Sequence, residues 1–145
     1  GNEATAEPAA RQFLEDLADL RSRYENEKTL DYFYQVDARP LFTINGDHII
    51  SQGLRICGGN NIFSDEPGLA FQVAHESVIV ADPAAIFAPS LDSQNDPLSA
   101  WRAWPGLQAV KTDALFLLPA DEISRPTPRW LDALEIACTL LHGLR

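Results

Sequence analysis

The sequence predicts an α/β domain with three layers: a parallel-dominated sheet with helices on both faces. Two observations carry this. Short apolar runs of strand length, Leu30–Val36, Ala85–Ala88 and Leu115–Leu118, alternate with segments of helical periodicity. Such alternation is what parallel strands joined by crossover helices produce.

Taken in order, Ala6–Glu25 reads as a helix. Phe13, Leu14, Leu17, Leu20 and Tyr24 form its apolar stripe, with charged residues on the other face. Pro8 suits a first turn. Leu30–Val36, rich in aromatics, reads as a strand. Asp37–Asp47, with Pro40 and Asn45-Gly46, reads as a loop, and Asp47 is expected to cap the next helix. That helix carries Ile49, Ile50, Leu54, Ile56 and Cys57. It stops at Gly58-Gly59, because glycine takes the left-handed capping conformation without steric cost.

Asn60-Asn61 then reads as a turn, and Ile62-Phe63 returns an apolar plug to the core. Asp65–Gly68 is a turn cluster. Glu76–Ala81 is a short helix ended by Asp82-Pro83. After the strand at Ala85–Ala88, Pro89–Pro97 is a polar loop and Leu98–Trp104 a helix with Trp101 and Trp104 on one face. Leu115–Leu118 is a buried-type strand, Pro119–Pro128 a proline-containing loop, and Arg129–Leu144 the closing helix. Trp130, Leu134, Ala137, Cys138 and Leu141 of that helix face inward.

With 145 residues the chain fits one domain with a real core. Its net charge of −10 argues against a nucleic-acid partner, which would need clustered Lys and Arg. No apolar stretch reaches the length of a membrane span, and Gly1–Glu7 is polar and acidic, unlike a signal peptide. Any export signal is therefore expected upstream.

No catalytic constellation is legible. His48, His75 and His142 lie far apart, with no metal-binding spacing. Ser51, Ser77 and Ser90 lack the GxSxG elbow. Gly58-Gly59 lacks the Lys and Ser/Thr of a phosphate loop. Neither an enzyme nor a resident metal or cofactor is expected. Cys57 and Cys138 are either two buried thiols or a disulfide between two packed helices. Ligands of open parallel sheets sit beyond the carboxyl ends of the strands. That makes Asp37–Asp47, Glu66–Phe71, Pro89–Asn95 and Ala120–Arg125 the candidate binding loops. The alternatives left open are an α/β enzyme subdomain and an interaction domain without a small ligand.

Four segments together resemble a known family. They are Tyr34-Gln35-Val36 with Arg39–Thr43; the run Cys57-Gly58-Gly59-Asn60-Asn61-Ile62-Phe63; Gln72–Glu76; and Trp101–Pro105 followed by Pro119-Ala120-Asp121 and Arg125–Arg129. In order and spacing they resemble the C-terminal lobe of the substrate-binding proteins of ABC importers for vitamin B12 and iron chelates, the cobalamin branch most of all.

The resemblance implies one lobe of a two-lobe periplasmic binding protein. Residues 1–28 would be the end of the inter-lobe helix and a linker, and residues 29–145 the ligand-binding lobe. The implied partners are a corrinoid or metal-chelate ligand, an inner-membrane ABC permease and the missing N-terminal lobe. Phe42 matches an aromatic residue that touches the corrinoid. Ala70 stands where such proteins can carry a tryptophan, and Phe71 is expected to supply that contact instead. Asn45, Ser90, Glu122 and Ile123, on the candidate loops, complete the expected ligand set. Glu76 matches the glutamate that docks onto permease arginines. The same resemblance implies a Cys57–Cys138 disulfide.

Overall fold

The computed structural model describes residues 2–90 and 96–145, with side chains from Pro8 onward. Its centre is a four-stranded parallel sheet of order β4-β1-β6-β7. The strands are β1 (Leu30–Tyr34), β4 (Gly59–Asn61), β6 (Ala85–Ser90) and β7 (Leu115–Pro119). Alternation along β1 divides the core. Tyr32 faces the layer of α1 (Asn2–Tyr24), α2 (Ile49–Ile56) and α6 (Pro128–His142), where a Cβ on Gly59 would lie 3.1 Å from both Tyr32 and Leu141. Phe33 faces the opposite layer and meets Trp101 edge-on at 6.0 Å. That layer holds α3 (His75–Ala81), a 3-10 turn (Ser99–Ala103) and α4 (Gln108–Lys111). The three-layer expectation therefore holds.

Cys57 and Cys138 form a disulfide, with Cα atoms 5.5 Å apart, joining the end of α2 to the middle of α6. Gly58 follows with φ +81°, the left-handed conformation expected of it. Above the joint, Gly53 lets α6 approach closely: a Cβ there would stand 2.8 Å from the Trp130 ring.

Several expectations are corrected. Asp37–Asp47 is not a plain loop. It contains β2 (Asp37–Ala38) and β3 (Leu41–Ile44), joined by a turn with a cis Arg39–Pro40 peptide, and β3 pairs with β5 (Ala70–Gln72) in a second, antiparallel sheet. Asn60-Asn61 belongs to β4, because Leu30–Tyr32 pairs with Gly59–Asn61. His48, and not Asp47, caps α2: its Nδ1 accepts the Ile50 N–H at 3.2 Å. The Leu98–Trp104 helix is a 3-10 turn, and Pro119–Pro128 contains a short helix, α5 (Ala120–Ser124). Leu14 is exposed, so the apolar stripe of α1 is narrower than its sequence implies.

Candidate functional site

The carboxyl ends of the parallel strands lie along one edge of the lobe, and the second sheet is built there. As the chain leaves β1, Gln35 is buried, and Val36 N–H donates to Phe42 O at 2.8 Å. This bond turns β3 back alongside the chain. The Thr43 hydroxyl donates to Tyr34 O at 2.7 Å, which fastens β3 to the end of β1. Asn61 donates to Ile44 O at 2.8 Å and to Ser51 Oγ at 3.1 Å. The small sheet is thus pinned to the large one by buried polar groups, each satisfied as burial demands.

Its register decides what faces outward. Phe42 pairs with Gln72, Thr43 with Phe71, Ile44 with Ala70, and Asp37 with Phe42. Paired residues share a face and successive residues alternate. Leu41, Thr43 and Phe71 therefore share one face, and Asp37, Phe42, Ile44, Ala70 and Gln72 the other, where Ile44 alone is buried. Phe42 is half-buried and Ala70 and Gln72 are exposed. Together they form a shelf.

Phe71 does not join the shelf. It packs edge-on against Phe63 at 6.0 Å, and Phe63 against Phe33 at 5.8 Å, a chain of rings that continues the core. Phe71 is half-buried, paired with Thr43 and packed on Phe63, so its ring lies on the opposite side of the strand from Ala70. Asn45 is corrected as a ligand contact. It is 3% exposed, donates to Glu66 O at 2.9 Å and accepts the Asp47 N–H at 2.9 Å, so its amide is committed to the loop.

Along the same edge, an open groove of about 550 Å³ runs past the ends of β6 and β7, lined by Ser90, Leu117, Pro119, Ala120, Asp121 and Glu122. Ser90 and Glu122 are thus brought together. Ile123 is not. It is 1% exposed, because α5 turns it into the core while Glu122 lines the groove. Asp121, within the candidate loop Ala120–Arg125, and Gln72 stand at this edge beside the expected contacts. In the sequence only the small–aromatic–polar alternation of Ala70-Phe71-Gln72 pointed to Gln72. Residues 91–95 of the expected loop Pro89–Asn95 lie outside the described residues.

Burial raises the hydroxyl pKa of Tyr32 and of Tyr34, so both stay neutral core residues, with Ser51 opposing the shift at Tyr32. Glu76 stands exposed in the first turn of α3. Its neighbour His75 stacks on Trp104 at 6.3 Å and lies 5.3 Å from Trp101. Among the described residues no three His, Cys, Asp or Glu side chains gather as a metal site. No described helix is long and apolar enough to cross a membrane.

No protein-family model matches the chain. A vitamin B12-binding protein of Vibrio cholerae is 40% identical over 141 residues, covering 97% of this chain and 50% of that protein. One from Yersinia pestis is 35% identical over 139 residues, covering 96% of this chain and 48% of that protein. The crystal structure of the periplasmic vitamin B12-binding protein BtuF of Vibrio cholerae superposes with a TM-score of 0.87 at 38% identity, over 99% of this chain and 56% of that one.

The chain is similar to the C-terminal half of these vitamin B12-binding proteins. It corresponds to the C-terminal lobe and spans about half the length of the curated relatives it matches. The periplasmic haem-binding protein HutB of Vibrio cholerae shares the lobe's fold at a TM-score of 0.81 and 15% identity. These relatives are named as binding proteins and not as enzymes.

Proposed function

We propose that the lobe is half of a two-lobe periplasmic receptor that captures a cobalamin-like corrinoid and delivers it to an ABC permease in the inner membrane. Residues 1–28 are then the end of the inter-lobe helix, and 29–145 form one jaw of the clamp. The observation that carries the reading is Phe42. Its pairing with Gln72 sets it on the outer side of the shelf, at the edge where an open parallel sheet meets its ligand. It is also the residue that the family resemblance assigns to corrinoid contact. The vitamin B12-binding relatives, at 40% identity, support the ligand class.

The charge of the edge supports it too. Asp37, Glu66 and Asp121 are exposed there and Glu122 lines the groove, against the exposed Arg39 and Arg125. A negative rim disfavours haem propionates and anionic siderophores, and tolerates a ligand whose periphery is neutral amide. Ser90 and Glu122, at the groove, are the proposed further contacts. Glu76, on α3, is the proposed contact with permease arginines, where charge-assisted pairs would orient the complex.

A titration of the two-lobe protein with cyanocobalamin, haemin and a ferric hydroxamate tests the ligand class. The reading expects cyanocobalamin to bind about 100-fold more tightly than either competitor, a difference of about 2.7 kcal/mol. A preference for haemin or the hydroxamate would overturn it.

A further inference from the structure

The shelf offers more than an aromatic surface. Gln72 is the direct cross-strand partner of Phe42, so its amide stands beside the Phe42 ring, on the same face. It is also chemically uncommitted. Gln12 donates to Asp16, Gln35 to Pro97 O, Gln52 to Asp47 O and Gln108 to Asp82 O. Among the described glutamines only the Gln72 side chain makes no hydrogen bond within the protein. It is exposed, at the edge where the ligand is proposed to sit.

From this juxtaposition we infer that Gln72 is a specificity-determining residue of the ligand site and reads a carboxamide on the edge of the corrin ring. The inference rests on the corrinoid reading above. Phe42 meets the apolar face of the macrocycle, and Gln72 reaches its periphery. A primary amide presents both a donor and an acceptor, and so does a corrinoid side-chain amide, so the two can pair reciprocally. A carboxylate in the same place would offer acceptors only. It would leave the Gln72 carbonyl without a donor and set a negative charge against Asp37, which pairs with Phe42 across the neighbouring strand. The site is thus built to prefer the amide form of the ligand over its hydrolysed, carboxylate form.

The test uses the two-lobe protein and two probes, cyanocobalamin and a cyanocobalamin derivative with peripheral amides hydrolysed to carboxylates. Titration of the wild type should favour the amide form. Gln72→Leu should weaken cyanocobalamin binding about 10-fold and shrink the preference between the probes, with the melting temperature unchanged. Gln72→Lys should shift the preference toward the carboxylate form.

Wild-type binding of cyanocobalamin, with both variants matching the wild type on both probes, would overturn the inference and leave the corrinoid reading standing. A wild type that binds neither probe would overturn the corrinoid reading and the inference with it.

Discussion

The Trp101 indole N–H donates to Gln35 Oε1 at 2.7 Å, and both residues are 2% exposed. The Gln35 amide then donates to Pro97 O at 2.8 Å. One buried side chain thereby joins the end of β1, the 3-10 turn and the chain that follows residues 91–95. Gln35→Leu keeps the size and removes both bonds, stranding a buried N–H donor. The expected cost is about 1–3 kcal/mol. Urea denaturation should show a lower midpoint at unchanged slope.

The disulfide closes a loop with a sequence separation of 81. In the chain-entropy model, a loop of that length contributes about 4–5 kcal/mol. Cys57→Ala/Cys138→Ala should lower unfolding stability by an amount approaching this. The denatured, unreduced wild type should show no reactive thiol, and two reactive thiols would count against the bridge.

Gly53→Ala should destabilise the lobe, against the usual helix preference for alanine of about 1 kcal/mol. The new methyl would stand 2.8 Å from the Trp130 ring and 3.0 Å from Leu134. Trp130 is buried and stacks on Phe13 at 6.3 Å, so it has little room to yield. An overpacking cost of about 1–3 kcal/mol should show as a lower melting temperature.

Much of the fold was legible because it is written locally. The α2 and α6 stripes placed Cys57 and Cys138 inward before their pairing was seen. Gly58 announced its own conformation. The second sheet was not legible. Its strands run only two to four residues, contain no run of helical or strand length, and are stabilised by partners distant in sequence, as Phe42 is by Gln72. Pro40 and Asn45-Gly46 therefore read as loop signals. The site suffered most from this gap. Phe42 is legible as a candidate contact through the family resemblance. Ile123 is buried because the short helix α5, which local sequence does not announce, turns it into the core.

His48 gives a pH dependence. Burial lowers its pKa from the ordinary 6.5, and its unprotonated Nδ1 is the cap acceptor for Ile50. The folded value lies below the unfolded one, so the unfolded chain takes up the proton first as pH falls. The contribution is complete above about 6.5, declines below it, and is gone once pH passes under the folded value. His48→Asn keeps a capping acceptor without titrating there. Stability measured from pH 8 to pH 5 should fall less for the variant; identical slopes would remove His48 from the account.

Glu76→Arg in the two-lobe protein should separate capture from delivery. Glu76 lies in the first turn of α3, beyond the last paired residue of β5, so ligand affinity should stay within about 2-fold of wild type. Facing permease arginines, the reversed charge should reduce uptake in a reconstituted transporter about 10-fold or more. Equal loss of affinity and uptake would move Glu76 into the ligand site. No loss of either would leave it an ordinary helix-end carboxylate.

The most direct test of the corrinoid shelf is a calorimetric titration of cyanocobalamin into the two-lobe protein and its Phe42→Ala variant. Phe42 is half-buried at the end of the lobe that would meet the ligand, paired with Gln72 on a sheet whose inner face is fixed by Thr43. Truncating it should leave the fold intact and remove an aromatic contact with the macrocycle. The account predicts cyanocobalamin binding by the wild type, weakened about 10- to 100-fold in the variant at unchanged melting temperature. Wild-type and variant proteins that bind cyanocobalamin with equal affinity would contradict it.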